Sequence, residues 1–248
     1  MDFLPCLSDA SAYAFFLDFD GTLTEIADTP AAVIVHRHTR ATLESLCAST
    51  DGAVAIVTGR EVATIDRFLA PLSLPVAGVH GYEVRDERGL RLTEISDDAA
   101  GALIESALAD FAAQNPGLLL ERKRGALALH YRLRPELEAM CLALVSELAA
   151  PLAEYVLTHG KMVVELRLHC ATKGTAIGLL MQQPPFKGRV PFFAGDDATD
   201  EDAFLVVNAR GGITMKVGPG ESAAHYRAPD VPCFLSWLSA TADTFKGL

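Results

Sequence analysis

Phe15-Phe16-Leu17-Asp18-Phe19-Asp20-Gly21-Thr22-Leu23 is the stretch from which this chain is best read. It opens as a short apolar run with aromatic bulk, long enough for a buried strand and too short to cross a membrane. Two carboxylates follow, two residues apart, and then a glycine. Alternate residues of a strand share a face, so Asp18 and Asp20 reach one volume just past the strand end. Gly21 frees the backbone to turn there, and Thr22 adds a hydroxyl. Open α/β sheets place ligands beyond the carboxyl ends of their parallel strands. Taken alone, Asp-x-Asp-Gly fits a plain polar turn equally well, because turns favour Asp and Gly.

The flanking sequence keeps a strand-helix rhythm. His36 to Cys47 has helical spacing through Thr39, Leu43 and Leu46. Ala53 to Val57 is a second buried-type strand, ending in Thr58-Gly59-Arg60. Glu61 to Leu69 is helical through Val62, Ile65 and Leu69. Pro75 to Val79 is a third apolar strand, closed by His80-Gly81, and Glu83 to Glu94 reads as a small hairpin around Asp86-Glu87-Arg88-Gly89. After a change of style the rhythm returns: helix Lys173 to Met181, strand Val190 to Ala194, helix Phe204 to Val207, strand Gly212 to Val217, helix Phe234 to Thr241. Alternation of this kind predicts a doubly wound, Rossmann-like parallel sheet with helices on both faces.

The middle is written differently. Asp98 to Gln114 is an amphipathic helix with Leu103, Ile104, Ala107, Leu108 and Phe111 on its stripe, stopped by Asn115-Pro116-Gly117. Alternating runs Leu118 to Lys123 and Ala126 to Arg132 flank a turn at Arg124-Gly125. A second helix starts near Pro135, with Leu137, Met140, Cys141, Leu144, Val145 and Leu148 inward. Strand-like Glu154 to Thr158 and Met162 to Arg167 then meet at His159-Gly160. Helix-strand-strand written twice predicts an α+β cap of antiparallel strands and two helices. The expected division is core 1–96, inserted cap 97–170 and core 171–248.

Composition narrows the classes. Half of the 248 residues are hydrophobic, which excludes a disordered or fibrous chain. A net charge of −11 argues against binding nucleic acid through broad electrostatics. It leaves room for a small anion held by local cations or a metal. Cys6, Cys47, Cys141, Cys170 and Cys233 are scattered without a Cys-x-x-Cys pair, so buried free thiols are expected rather than a disulfide framework or a zinc site. Met1-Asp2 begins without a basic region, and no apolar stretch approaches membrane length, so a soluble, cytoplasmic protein is expected.

Four polar clusters follow apolar strands or open a helix: Asp18/Asp20, Thr58, Lys173, and Asp196/Asp197/Asp200. Parallel neighbouring strands would bring all four to one sheet edge. Crowded carboxylates repel unless a cation neutralises them, and hard oxygen ligands suit Mg²⁺ shared with phosphate. Asp18 as nucleophile, with Thr58 and Lys173 clamping phosphate, would make a phosphoryl-transfer site. Each cluster alone has an ordinary explanation, a strand-ending turn, a solvated lysine or an acidic helix start. Their occurrence together, each at a structural junction, favours the chemistry.

In these motifs the chain resembles the haloacid-dehalogenase-type phosphatases. Phe16-Leu17-Asp18-Phe19-Asp20-Gly21-Thr22, Thr58, Lys173 and Gly195-Asp196-Asp197-Ala198-Thr199-Asp200 match the family's four motifs. The resemblance implies that Asp18 attacks phosphorus and forms an aspartyl-phosphate. Asp20 would protonate the leaving alkoxide and then deprotonate the attacking water. Thr58, Gly59 and Lys173 would bind phosphate. Mg²⁺ would be held by the Asp18 carboxylate, the Asp20 main-chain carbonyl and Asp196, with Asp200 in the outer shell and Asp197 either ligand or support.

Alternation along the cap strands puts Glu121 with Lys123, His130 with Arg132, and Glu165 with Arg167 on one face, opposite Leu118, Leu120, Leu127, Leu129, Val164 and Leu166. Such a polar face is either ordinary solvated surface or a reader of hydroxyls and phosphate. Here the chain is similar to the trehalose-6-phosphate phosphatase family, in Glu121-Arg122-Lys123, His130-Tyr131-Arg132, Gly160-Lys161, Val164-Glu165-Leu166-Arg167 and the acidic run through Asp202. Leu168 departs from it, where the family often continues with proline. The likeness implies that Glu121, Lys123, Arg132 and Glu165 grip the disaccharide and that His80, in Gly78-Val79-His80-Gly81, sits near the substrate. The expected function is Mg²⁺-dependent release of trehalose and phosphate from trehalose 6-phosphate. The alternatives are another sugar phosphate, such as sucrose phosphate or a glycosyl-phosphoglycerate, and a catalytically silent sensor. The expected partner is a small sugar phosphate, with no nucleic acid and no membrane. Association with a trehalose-phosphate synthase is left open.

Overall fold

The structure is a computed structural model that describes residues 4–27, 32–90, 92, 99–123, 126–152, 155–160, 162–168 and 172–247. Its centre is strand β1 (Tyr13–Leu17), where alternation sends Phe15 and Leu17 into one hydrophobic cluster and Ala14 and Phe16 into another. A strand covered on both faces has no use for a polar side chain, which is why this run is apolar throughout. The other strands of its sheet are β2 (Val54–Val57), β3 (Val76–Gly78), β4 (Glu83–Arg85), β9 (Val190–Gly195), β10 (Ile213–Val217) and β11 (Tyr226–Ala228). Their order is β11-β10-β9-β1-β2-β3-β4, with β4 antiparallel at the edge and every other pairing parallel.

Helices α1 (Arg37–Ser49), α2 (Val62–Leu69) and α7 (Val231–Lys246) cover the Phe15 face through Leu43, Leu46, Ile65, Phe234 and Leu238. Helices α5 (Lys173–Leu180) and α6 (Glu201–Ala209) cover the Phe16 face through Ile177, Leu180, Phe204 and Val207. The sheet is therefore the expected Rossmann-like, doubly wound one.

Contacts divide the chain into two units, Met1–Thr93 with Thr172–Leu248, and Glu94–Ala171. The second unit carries α3 (Ala99–Gln114), β5 (Leu119–Lys123), β6 (Ala126–His130), α4 (Glu138–Ala149), β7 (Tyr155–Gly160) and β8 (Val163–Leu168). Its sheet is antiparallel in the order β5-β6-β8-β7. Leu127, Leu129, Val164 and Leu166 pack with Ile104, Leu108, Cys141 and Val145 of the two helices.

Several details correct the sequence reading. Leu103 and Met140 are 75% and 52% exposed. Successive helical positions lie about 100° apart, so with Ile104 and Cys141 at the seam their neighbours point off it. Strand β6 ends at His130. Tyr131 still donates its N–H to the Met162 carbonyl at 3.1 Å, but the chain then turns, Arg134 N–H donating to the Tyr131 carbonyl at 2.9 Å, so Arg132 is an exposed turn residue rather than a strand partner of His130. Strand β7 runs on through Gly160, which pairs with Val163, so the reversal falls beyond His159-Gly160. The run Glu83 to Glu94 does turn at Asp86 to Gly89, but β4 pairs with β3. Val79 leaves its strand with φ +49°. Strand β11, only three residues long, was not expected. Cys6 is exposed and Cys47 and Cys233 half-buried; only Cys141 of the described cysteines is a buried thiol. The joins near Ser96 and Cys170, the Arg124-Gly125 turn, Glu154, Lys161 and the side chains of Lys123 and Leu168 lie outside the described residues. Among the described residues no helix is long and apolar enough to cross a membrane.

Candidate active site

Because β1 lies between β9 and β2, its carboxyl end meets the ends of both. The Asp18 N–H donates to the Ala194 carbonyl at 3.0 Å, which fixes Asp18 beside the end of β9. The chain then closes a tight loop. Gly21 N–H donates to Thr24, and the N–H groups of Leu23 and Thr24 both donate to the Phe19 carbonyl. Gly21 needs its missing side chain twice over, for φ +80° and for space, since a Cβ would lie 2.1 Å from Asp196 Oδ2.

Lys173 is the first residue of α5, whose N-terminus is set by Thr172 in a reciprocal capping arrangement with Thr175. Its ammonium is buried and donates to Asp18 Oδ1 and to Asp200 Oδ1, each at 2.7 Å. Asp200 Oδ2 accepts the N–H groups of Asp196 and Asp197 at 2.9 and 3.0 Å. Both Asp200 oxygens are thus engaged, which makes it the brace of the Asp196 loop. Asp197 turns to cap the next turn of chain, accepting from Thr199 N–H at 2.8 Å and from its hydroxyl at 2.7 Å. Single ligand atoms of Asp18, Asp196 and Asp200 lie within 4.8 Å of one another.

The charge of this cluster is unbalanced. Burial pushes the Asp18 carboxyl up to about 7, although Lys173 opposes the shift. Burial likewise raises Asp200 to about 7, helped by the Asp18 charge, and Asp196 to about 6, helped by Asp200 and Asp197. The Lys173 pKa is raised as well: burial opposes its charge, but Asp18 and Asp200 outweigh it and keep the ammonium protonated. Three carboxylates that resist being ionised together, with one ammonium among them, form a donor set suited to a hard divalent cation.

Thr58 stands buried at the end of β2, its hydroxyl accepting the Arg60 N–H at 3.1 Å. His80, with φ +54°, donates its N–H to the Thr58 carbonyl at 2.9 Å. Its ring lies against Gly59, where a Cβ would meet Nε2 at 2.6 Å. Asp20 is held by Arg60, Nε to Oδ2 at 2.6 Å and Nη2 to Oδ1 at 2.7 Å. Two residues at this site were not singled out from the sequence. Arg60 was visible only as one polar residue of a strand-ending trio. Lys216, buried at the end of β10, donates to the Asp196 main-chain carbonyl. A lysine interrupting the apolar run Ile213 to Val217 was the available signal.

The other expected site residues belong to the second unit. Glu121 is exposed on β5, 2.8 Å from His130 Nε2. Glu165 is half-buried on β8 opposite Ala128 and Thr158, and Arg167 Nε donates to the Thr158 hydroxyl at 3.4 Å. Arg132 is exposed just past β6.

A Rossmann-like sheet with an acidic pair after β1, a lysine opening α5 and an acidic loop after β9 defines the haloacid-dehalogenase-type phosphatase class. Within it, the family model for trehalose-phosphatase matches residues 16–232. The chain is 41% identical over 229 residues to the Escherichia coli trehalose-6-phosphate phosphatase, covering 92% of this chain and 86% of that protein. It is also 41% identical over 221 residues to a probable trehalose-phosphate phosphatase of Sinorhizobium fredii, covering 88% and 83%. A crystal structure of Aspergillus fumigatus trehalose-6-phosphate phosphatase superimposes with a TM-score of 0.77 at 28% identity, over 94% of this chain and 93% of that one. The chain belongs to the trehalose-phosphatase family.

Proposed function

We propose that this chain hydrolyses trehalose 6-phosphate to trehalose and phosphate, with Mg²⁺ as its metal. The observation that carries the reading is the buried cluster in which Lys173 bridges Asp18 and Asp200 beside Asp196. A solvated acidic turn has no reason to bury two carboxylates with one ammonium and to set a third, half-buried, beside them. Asp18, Asp196 and the Asp20 main-chain carbonyl would hold the ion, with Asp200 supporting from behind. When bound, the ion neutralises the carboxylates and the phosphate oxygens that the nucleophile must approach.

In the first step an Asp18 carboxylate oxygen attacks phosphorus and the bond to the sugar oxygen breaks. Asp20 gives that oxygen a proton, since an alkoxide is a poor leaving group without one. Water then attacks the aspartyl-phosphate and gives its proton to Asp20, so phosphate leaves and both acids are restored. Thr58, the Gly59 backbone and Lys173 bind the phosphoryl oxygens. Glu121, Lys123, Arg132 and Glu165 of the second unit recognise the sugar hydroxyls, with His80 at the edge of the first. Support for that role comes from Glu121 and Glu165 lying on a sheet whose Leu127, Leu129, Val164 and Leu166 are buried.

The test is phosphate release from a panel of trehalose 6-phosphate, sucrose 6-phosphate, glucosyl-phosphoglycerate and glucose 6-phosphate, with Mg²⁺ and with chelator. Release that is fastest from trehalose 6-phosphate and abolished by chelation supports the reading. A different preferred ester would redirect the substrate, and binding without release would make the chain a sensor.

A further inference from the structure

The charge pair between Asp20 and Arg60 joins residues 40 apart in the chain and engages both carboxylate oxygens. The arginine is itself held on every side. Its guanidinium carbon lies 5.7 Å from the Phe19 ring centroid and 5.2 Å from that of Phe68. Those two rings stack on each other at 5.7 Å. Its N–H is bound by the Thr58 hydroxyl and its carbonyl accepts the Val79 N–H at 3.0 Å. Gly78 leaves room for that carbonyl, which a Cβ would meet at 2.7 Å. A side chain so fixed has little left to lose in rotamer freedom when it binds an acid. Asp20, by contrast, is the more exposed partner, at 36% of its side chain against 14%.

From this geometry we propose that Arg60 is a positioning residue for Asp20, setting the rotamer from which the acid serves the leaving oxygen. The inference rests on the hydrolase reading above. A forked pair occupies one lone pair on each carboxylate oxygen and leaves the others facing outward, so Asp20 stays available while its orientation is fixed. Proton transfer demands hydrogen-bond reach at the moment the ester bond breaks, and a carboxylate free to rotate meets that demand only part of the time. Lysine cannot replace the arginine here, because a point charge neither forks nor lies flat against rings.

The experiment compares kcat/KM over simple phosphate esters that lack a sugar, from p-nitrophenyl phosphate to alkyl phosphates, for wild type, R60K, R60M, D20N and the R60M/D20N pair. The value of kcat/KM reports cleavage of the ester and not later release of phosphate from Asp18. A p-nitrophenolate leaves unaided, whereas an alkoxide needs its proton. In both Arg60 variants the alkyl esters are expected to lose at least tenfold more than the p-nitrophenyl ester. With Asp20 already replaced, R60M is expected to add no further gap. A general folding defect would lower all esters by one factor. Equal losses across the series, or a further gap added by R60M on top of D20N, would overturn the positioning role. Wild-type release from none of the esters would instead overturn the hydrolase reading, and this inference with it.

Discussion

Gly21 and Asp196, far apart in sequence, use the same space: the Asp196 carboxylate sits where a side chain on Gly21 would go, with Oδ2 2.1 Å from a hypothetical Cβ. The loop after β1 and the loop after β9 are therefore shaped to each other. Alanine at position 21 would meet both the φ +80° backbone and the carboxylate. The strain costs about 1–2 kcal/mol, and displacement of Asp196 weakens metal binding by about 10- to 100-fold, as for other disturbed ligand supports. Thermal denaturation and Mg²⁺ titration of G21A measure the two effects separately, and unchanged Mg²⁺ affinity would show that Asp196 is not a ligand.

Replacing Asp18 by asparagine removes the proposed nucleophile but keeps shape and a hydrogen-bond acceptor for Lys173. Turnover is expected to fall by on the order of 10⁴-fold or more. Circular dichroism and melting should stay close to wild type, because Lys173 keeps its bond to Asp200. Appreciable residual turnover would assign the attack to another group.

Lys173 is the cation that lets Asp18 and Asp200 be buried side by side. K173M strands both, and loss of one partner from a buried pair costs roughly 3–5 kcal/mol. Mg²⁺ is expected to restore only part of that loss, since Asp200 remains without its ammonium. Urea denaturation with and without Mg²⁺ reads both quantities; a loss below 1 kcal/mol would remove Lys173 from the framework of the site.

The dependence on pH has a definite sign. Asp18 and Asp200 titrate near 7 and Asp196 near 6 in the folded, metal-free chain, against an ordinary 3.8. Between pH 4 and 7 the folded state therefore binds more protons than the unfolded one. These groups make the metal-free protein lose stability as pH rises through that window, with no further loss above it. Mg²⁺ competes with the same protons, so its stabilising effect should grow from pH 5 to pH 8. At a hundredfold excess over Kd it reaches about 2.7 kcal/mol. Melting with Mg²⁺ or chelator at each pH tests this, and an increment flat across the range would contradict it.

For the second unit, E121A is expected to raise KM for trehalose 6-phosphate at least tenfold and to leave p-nitrophenyl phosphate hydrolysis nearly intact. The fold should survive, since Glu121 is exposed. Equal losses on both substrates would remove Glu121 from sugar recognition.

Residue types and their spacing already determined the elements and much of the chemistry. The apolar runs around Phe15, Ile56 and Phe192 read as strands covered on both faces, and the acids and Thr58 at their ends, with Lys173 opening a helix, had to gather once those strands lay parallel. That much follows from local periodicity, because burial demands a regular apolar pattern. Other features were decided only in three dimensions. Arg60 meets Asp20 because β2 lies beside β1; Lys216 reaches the Asp196 carbonyl because β10 lies beside β9; Asp197 turns to Thr199 while Asp200 braces the loop. Which of two neighbouring apolar residues, Leu103 or Ile104, faces inward was settled the same way. Pairings of this kind depend on strand order and on the exact rotation of each helix, and a single chain's periodicity encodes neither.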